Sequence, residues 1–353
     1  MSRARTTGVG AVLLALSALA ACSDDGAQPA GAEAPSASTA PSVVPTASPD
    51  APDGPALPEV TDERSLAAVM REELPASRIR TVAVESRTDA YTRSRVTYRA
   101  GDLTISGVLL RPRGEGPFPG VVLNHGYIDP DVYRPGQGLA REQDRLARAG
   151  FVVLHTDYRG HAGSDEPVDD FDRESRLGYT RDTIAAVLAL EQEPYVDADR
   201  MAMLGRSMGG GVTLNALVVR PGLVEAAIIY ASVSSLLHEN VEHFTRRSRP
   251  NQADRIYAEY GTPDEAPEFW AGLSARSHFD RVSDPLLIHH GRVDDTCPYR
   301  WATATQRALV DAGADSELLT YDGEGHTFYS RWSESMDRTI AFLRRHLGIS
   351  PRS

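Results

Sequence analysis

The chain has 353 residues, 49 acidic and 37 basic side chains and a formal net charge of −12. That length supports one core of ordinary size, and a negative chain without a basic tail excludes nucleic-acid partners and broad electrostatic binding to anionic membranes. Its two cysteines, Cys22 and Cys297, leave no disulfide framework to hold a small fold together.

The amino terminus opens with Arg3 and Arg5, then an apolar run from Val9 to Ala21. A basic start, a short apolar stretch and small residues at its end predict a secretory signal peptide over 1–21. The run is too short to span a membrane comfortably. Its ending, Leu19-Ala20-Ala21-Cys22, resembles the bacterial lipobox. That implies cleavage before Cys22, lipidation of Cys22 and anchoring to the outside of the cell membrane by lipid alone. Residues 22–58 are almost wholly Ala, Pro, Ser, Asp, Gly and Thr, a composition that predicts a Pro-stiffened tether. Residues 59–92 are expected as a helical lead-in, with a short helix over 63–73.

The domain itself is expected over 93–349. Strand-like runs fall at 96–99, 103–111, 120–124, 151–157, 200–204, 226–231, 285–290 and 317–321. Helix-like runs lie between them at 136–149, 181–191, 210–219 and 301–312, and a last one spans 332–347. The first two strands read as an antiparallel hairpin across Ala100-Gly101-Asp102. The later ones are short, apolar and separated by helices, as a parallel sheet covered on both faces requires. Residues 233–284 break the alternation with helical segments and predict a cap insertion. Its Arg246-Arg247-Ser248-Arg249 run could greet an acidic substrate, but the usual reading of a charge run favours a solvated helix face.

Gly205-Arg206-Ser207-Met208-Gly209 sits where an apolar strand meets a helix. This G-x-S-x-G turn exposes its Ser on a strained backbone, and glycine on both sides keeps Cβ atoms from clashing. Ser207 is therefore the candidate nucleophile. A Ser hydroxyl needs a base, and the base needs an orienting acid; in this fold class they follow in the order Ser, Asp or Glu, His. Asp294 and Asp295 both lie just past the strand at 285–290. His326 lies in the Gly-punctuated loop after the strand at 317–321. His238, His243, His278 and His346 lack such a context and read as structural. His289, His290 and Cys297 read as packing residues. The oxyanion donors are expected at the N–H of Met208 and of Tyr127, which follows the strand ending in Asn124-His125-Gly126. Tyr127, Tyr230, Phe244 and Trp270 are candidate walls of the substrate pocket.

Five stretches carry a resemblance. They are Asn124-His125-Gly126, Asp157-Tyr158-Arg159-Gly160-His161-Ala162-Gly163-Ser164, Gly205 to Gly210, Ile288-His289-His290-Gly291-Arg292-Val293-Asp294 and Gly323-Glu324-Gly325-His326. With them, the chain from about 95 to 347 resembles the catalytic domain of the prolyl oligopeptidase family and its dienelactone-hydrolase-like relatives. The resemblance implies an α/β-hydrolase fold: a mostly parallel eight-stranded sheet, helices on both faces and a helical cap. It places the acid three residues after the His-Gly pair, on Asp294 rather than Asp295. It implies an acyl-enzyme mechanism with no cofactor and no metal. Large members carry a propeller that gates the site, and the oxyanion loop is frequently Gly-Gly. Here the segment ahead of the first strand reads as leader, tether and short helix, and the loop is Gly126-Tyr127. The expected substrate is therefore a small ester, with an oligopeptidase-type activity on short peptides as the alternative. A non-catalytic surface binding protein on the same scaffold is the reading from another class.

Overall fold

The sheet is built from strands of two kinds. Those in the middle are apolar on both faces, and those at the amino-terminal edge are not. The computed structural model describes residues 56–167 and 169–350. Within them β1 (Arg80–Arg87), β2 (Tyr91–Ala100), β3 (Leu103–Pro112), β4 (Phe118–Asn124), β5 (Val152–Thr156), β6 (Val196–Arg206), β7 (Ala226–Tyr230), β8 (Leu286–Gly291) and β9 (Ser316–Tyr321) form one sheet. Its order is β1-β2-β3-β5-β4-β6-β7-β8-β9. The pairs β1–β2, β2–β3 and β3–β5 are antiparallel. From β5 to β9 every neighbouring pair is parallel. This is the expected α/β-hydrolase architecture, and the hairpin across Gly101 is present with Ala100 opposite Leu103.

Every residue of β5, β7 and β8 is buried, because helices cover both faces. Strand alternation divides the core in two. Ile105, Val122 and Ile288 face α4 (Leu177–Glu191) and α5 (Met208–Val219), whose Ile184, Leu190, Leu214 and Leu217 complete that layer. Val108, Leu123 and Leu287 face the other way, toward Leu146 of α2 (Ala140–Arg148) and Met336 and Leu343 of α11 (Trp332–His346). The cap supplies α6 (Leu237–Asn240), a π-helical turn over Val241–Thr245, α7 (Arg246–Ser248), α8 (Pro250–Tyr260) and α9 (Pro267–Gly272).

Two expectations need correction. The sheet has nine strands, not eight, and residues 59–92 are not a helical lead-in. They hold a single helical turn, α1 (Leu66–Val69), capped by Ser65 Oγ, and then β1. Seven of the eight β1 residues are exposed, so no apolar alternation marks the strand. It joins through backbone pairing to β2, with irregular register at Thr81/Ala83 and Val84/Ser86, an ordinary way of ending a sheet. The signal peptide, Cys22 and most of the tether lie outside the described residues.

The turn between β6 and α5 is the tightest place in the fold. Ser207 has φ 55° and ψ −120°, a left-handed value that costs a non-glycine residue energy. A Cβ on Gly205 would lie 2.1 Å from the Gly209 carbonyl oxygen, and one on Gly209 would lie 2.0 Å from that of Asn124. Gly209→Ala is therefore expected to destabilise the protein by about 3 kcal/mol, the upper part of the usual cost of overpacking. Urea unfolding measures it, and an unchanged midpoint would show that α5 can move off β4 freely.

Candidate active site

Three strand ends deliver the three candidate residues to one place. β6 ends at Ser207, the loop after β8 carries Asp294, and the loop after β9 carries His326. His326 Nδ1 lies 2.9 Å from Asp294 Oδ2 and 3.2 Å from Oδ1. Oδ1 also accepts from the backbone N–H of Thr296 at 2.9 Å and of Cys297 at 2.8 Å. Burial alone would raise the Asp294 pKa. The hydrogen bonds from His326 and from the Cys297 N–H outweigh that and hold it below the ordinary carboxylate value. An ionised carboxylate only accepts, so His326 carries its proton on Nδ1 and presents a free Nε2 lone pair. The depressed pKa also means that this network stabilises the fold at neutral pH and loses that contribution as pH falls through the folded-state value.

Asp295 is exposed, and the hydrogen bond it makes is with the hydroxyl of Thr296 at 3.3 Å. The geometry therefore pairs His326 with Asp294, as the resemblance implied. His290 also contributes. Its Nε2 donates to the Cys297 carbonyl at 2.9 Å and lies 3.4 Å from Asp294 Oδ2. Burial pushes its pKa down, so it braces the acid loop as a neutral ring. Glu324 does the same for the histidine loop. Its buried carboxylate accepts from the N–H of Tyr329 at 2.9 Å, from the N–H of Arg331 and from the Ser330 hydroxyl. Gly291 lets the two loops touch, since a Cβ there would lie 2.2 Å from the Glu324 carbonyl oxygen.

The loop after β4 closes over the serine. A Cβ on Gly126 would lie 3.2 Å from Ser207 Cβ and 3.8 Å from its Oγ. The Tyr127 N–H meets no acceptor among the described residues, and the Met208 N–H opens α5, where no carbonyl of the helix can reach it. His125 is structural. It is buried in a stack with Tyr133, Tyr158 and His155, its Nδ1 lies 2.6 Å from the Gly126 carbonyl, and burial lowers its pKa to about 3. Ser207 Oγ rests 3.8 Å from the Cys297 sulfur. Burial pushes that thiol's pKa up, so Cys297 stays protonated and is no rival nucleophile.

Ser207, His326, Gly126, Tyr127 and Met208 line a cavity of about 630 Å³ roofed by the first helices of the cap. Phe244 lines it as expected. Two other aromatics do not. Tyr230 is fully buried under the sheet, stacked on His289 with its hydroxyl 2.6 Å from Thr339 Oγ1. Trp270 is buried inside the cap, where its indole donates to the Gly261 carbonyl at 3.1 Å. Both are core residues, which a large aromatic becomes by default. Several cavity residues are read otherwise, or not at all, in the sequence. His243, set aside as structural, lines the cavity and lies 3.0 Å from the Thr296 carbonyl. Arg247 and Arg249 also line it, whereas Arg246 pairs outward with Glu242 and Asp254. Arg173, Glu174 and Arg176 enter from the segment ahead of α4, which carries no motif.

The model of the prolyl oligopeptidase family matches residues 138–350. The chain is 25% identical to the uncharacterized peptidase YtmA of Bacillus subtilis over 66% of this chain and 85% of that one. It is 25% identical to the acylamino-acid-releasing enzyme of Homo sapiens over 70% of this chain but only 34% of the enzyme. Among solved structures, acetyl xylan esterase 1 from Thermoanaerobacterium sp. superposes with a TM-score of 0.61 at 19% identity, covering 83% of this chain and 95% of that one. A puromycin-hydrolyzing peptidase of Mycobacterium tuberculosis gives a TM-score of 0.60 at 25% identity, covering 76% and 42%.

The pairing of His326 with Asp294 rather than Asp295 sets an order of effects. Asp294→Asn is expected to lower kcat by on the order of 10⁴, because an amide lets the imidazole take the wrong tautomer. Asp295→Asn is expected to leave kcat nearly unchanged. Ester hydrolysis under saturating substrate measures both, and the opposite ranking would show that the acid is the exposed residue.

Proposed function

The chain belongs to the prolyl oligopeptidase family, which makes it a serine hydrolase of esters or peptides, and on that premise we propose that Ser207, His326 and Asp294 form its catalytic triad. The observation that carries this is the Nδ1–H bond of His326 to a buried, ionised Asp294. It leaves Nε2 unprotonated in the cavity that Ser207 faces. Rotation about the Ser207 side chain turns Oγ from Cys297 toward His326, a bond commonly loose until substrate binds. His326 takes the hydroxyl proton as Oγ attacks the carbonyl carbon. The oxyanion is held by the N–H groups of Tyr127 and Met208, fixed donors that meet charge only as it develops. His326 then protonates the leaving group, and water repeats the cycle on the acyl-enzyme.

We propose small esters as the preferred substrates. Glu174 is the carboxylate on the cavity wall, and it is already committed to Arg249 at 2.7 Å and to the Thr245 hydroxyl at 2.9 Å. The lining therefore offers no spare acidic group for the ammonium of a peptide amino terminus. We also propose that the protein acts outside the cell, held to the membrane by a lipid on Cys22.

Ser207→Ala is expected to abolish turnover and fluorophosphonate labelling. Labelling that persists in that variant would overturn the nucleophile assignment, and a wild type that never labels would favour a binding protein. For the wild type, kcat/KM on short-chain p-nitrophenyl esters is expected to exceed that on aminoacyl anilides by at least roughly tenfold, about 1.4 kcal/mol of transition-state binding. Equal or better cleavage of an anilide would return the protein to the peptidases. Cys22→Ala is expected to leave an unprocessed, unlipidated precursor, read by mass spectrometry of membrane fractions. Mature protein free in the medium with an unmodified Cys22 would refute the anchor.

A further inference from the structure

The cavity beside Ser207 has an unbalanced wall. Arg173, Arg176, Arg206, Arg247 and Arg249 line it against one carboxylate, Glu174. Arg206 is paired with Glu142 at 2.6 Å, and Arg249 with Glu174 at 2.7 Å. Arg173 has a buried Nε without a partner, and Arg247 lies at the exposed rim. Arg176 is half-buried in the wall, and among the described residues its guanidinium makes no hydrogen bond or ion pair. Burial pushes its pKa down, and the Glu174 carboxylate opposes that shift.

Two features of the backbone hold it there. Arg176 has φ 63° and ψ 10°, at the break between α3 (Asp170–Ser175) and α4. Glycine is the residue favoured at such angles, so an arginine kept there stores strain of the kind found at ligand sites. Opposite it, Gly211 in the first turn of α5 has no Cβ. One placed there would lie 3.0 Å from Arg176 Nη1, so the missing side chain leaves room for the guanidinium.

We propose that Arg176 is the anion anchor of this cavity and that the substrates carry a carboxylate besides the bond to be cleaved. The inference rests on the reading of the site as a serine hydrolase. A half-buried cation without a protein partner has already given up part of its hydration, and a ligand that neutralises it offsets that loss. The planar guanidinium matches a carboxylate with two parallel N–H···O bonds. The carboxylate belongs either to the acyl part or to the leaving group.

Matched ester pairs distinguish these. The acyl pair is p-nitrophenyl hydrogen adipate against p-nitrophenyl methyl adipate. The leaving-group pair is 4-acetoxybenzoate against methyl 4-acetoxybenzoate. The wild type is expected to favour the acid in at least one pair by roughly tenfold or more in kcat/KM, a modest return for a charge-assisted bidentate contact. Arg176→Gly and Arg176→Gln are expected to bring that ratio to one or below, and Arg176→Lys to keep part of it. Arg176→Gly relieves the strained backbone, so it tests the side chain without forcing a new conformation. Binding is read separately by calorimetry on Ser207→Ala, with adipic acid monoamide and 4-acetoxybenzoate as probes. Adding Arg176→Gly is expected to weaken the bound acid at least roughly tenfold. If no ester is turned over in a Ser207-dependent way, the hydrolase reading falls, while loss of acid binding in the double variant still supports the anchor. Acid and neutral esters cleaved equally well by the wild type, or acids bound equally by Ser207→Ala with and without Arg176→Gly, would overturn the anchor.

Discussion

The contact between the first turn of α5 and the end of β4 sets the geometry of everything above the sheet. Gly205 and Gly209 bring helix and strands closer than any side chain permits, and the serine between them takes the strain. Asn124 makes that contact specific. Its amide nitrogen donates to Thr213 Oγ1 of α5 at 2.9 Å, and its amide oxygen accepts from Thr183 Oγ1 of α4, also at 2.9 Å. One side chain, fully buried, thus ties a strand to two helices with its hydrogen-bonding capacity well used, which is the condition for a buried amide to stabilise a fold. The parallel strands all end on this side, so the loops after β8 and β9 have no other place to deliver an acid and a base.

The stretch from Asp157 to His161 carries part of the family resemblance, and its side chains bond to the frame around the site. Asp157 accepts from the Tyr133 hydroxyl at 2.7 Å, the Gly136 N–H at 2.9 Å and the Ser106 hydroxyl at 2.7 Å. That fastens the end of β5 to the segment just past the loop after β4. Arg159 binds Asp182 of α4 at 2.8 Å and Asp172 of α3 at 3.1 Å. A buried ion pair returns little net stability for its desolvation, but breaking one leaves an uncompensated charge, so it fixes relative positions strongly. Here it fixes the α3–α4 break, which is where Arg176 stands. A motif that carries the family resemblance therefore acts as the frame for a residue outside every motif.

The legible parts of the sequence were those whose physics is local. Apolar runs of four to seven residues gave the middle strands, and the glycine pattern gave the elbow. The order Ser, Asp, His gave three residues that the fold gathers at one end of the sheet. The acid was ambiguous until the resemblance chose between two neighbouring carboxylates, because burial separates Asp294 from Asp295 and burial is not local information. β1 escaped for a related reason. It is held by backbone pairing at an edge and buries almost no side chain. Tyr230 and Trp270 were misplaced because an aromatic residue has the same signature in a core as in a pocket wall. Arg176 and His243 had no signature at all, since only the folded chain brings the α3–α4 break and the cap against the serine.

Charge shows the same gap between composition and site. The chain as a whole is strongly acidic, which read alone would suggest that anions are repelled. Beyond about 8 Å at physiological ionic strength that repulsion is largely screened. Inside the cavity the nearest groups decide, and among them are five arginines against one carboxylate. An anionic substrate would thus gain little from long-range steering and much from the last few ångströms. The selectivity of such a site belongs to residence in the cavity, not to encounter. It should survive added salt at Arg176, whereas any contribution from the exposed Arg247 should fade.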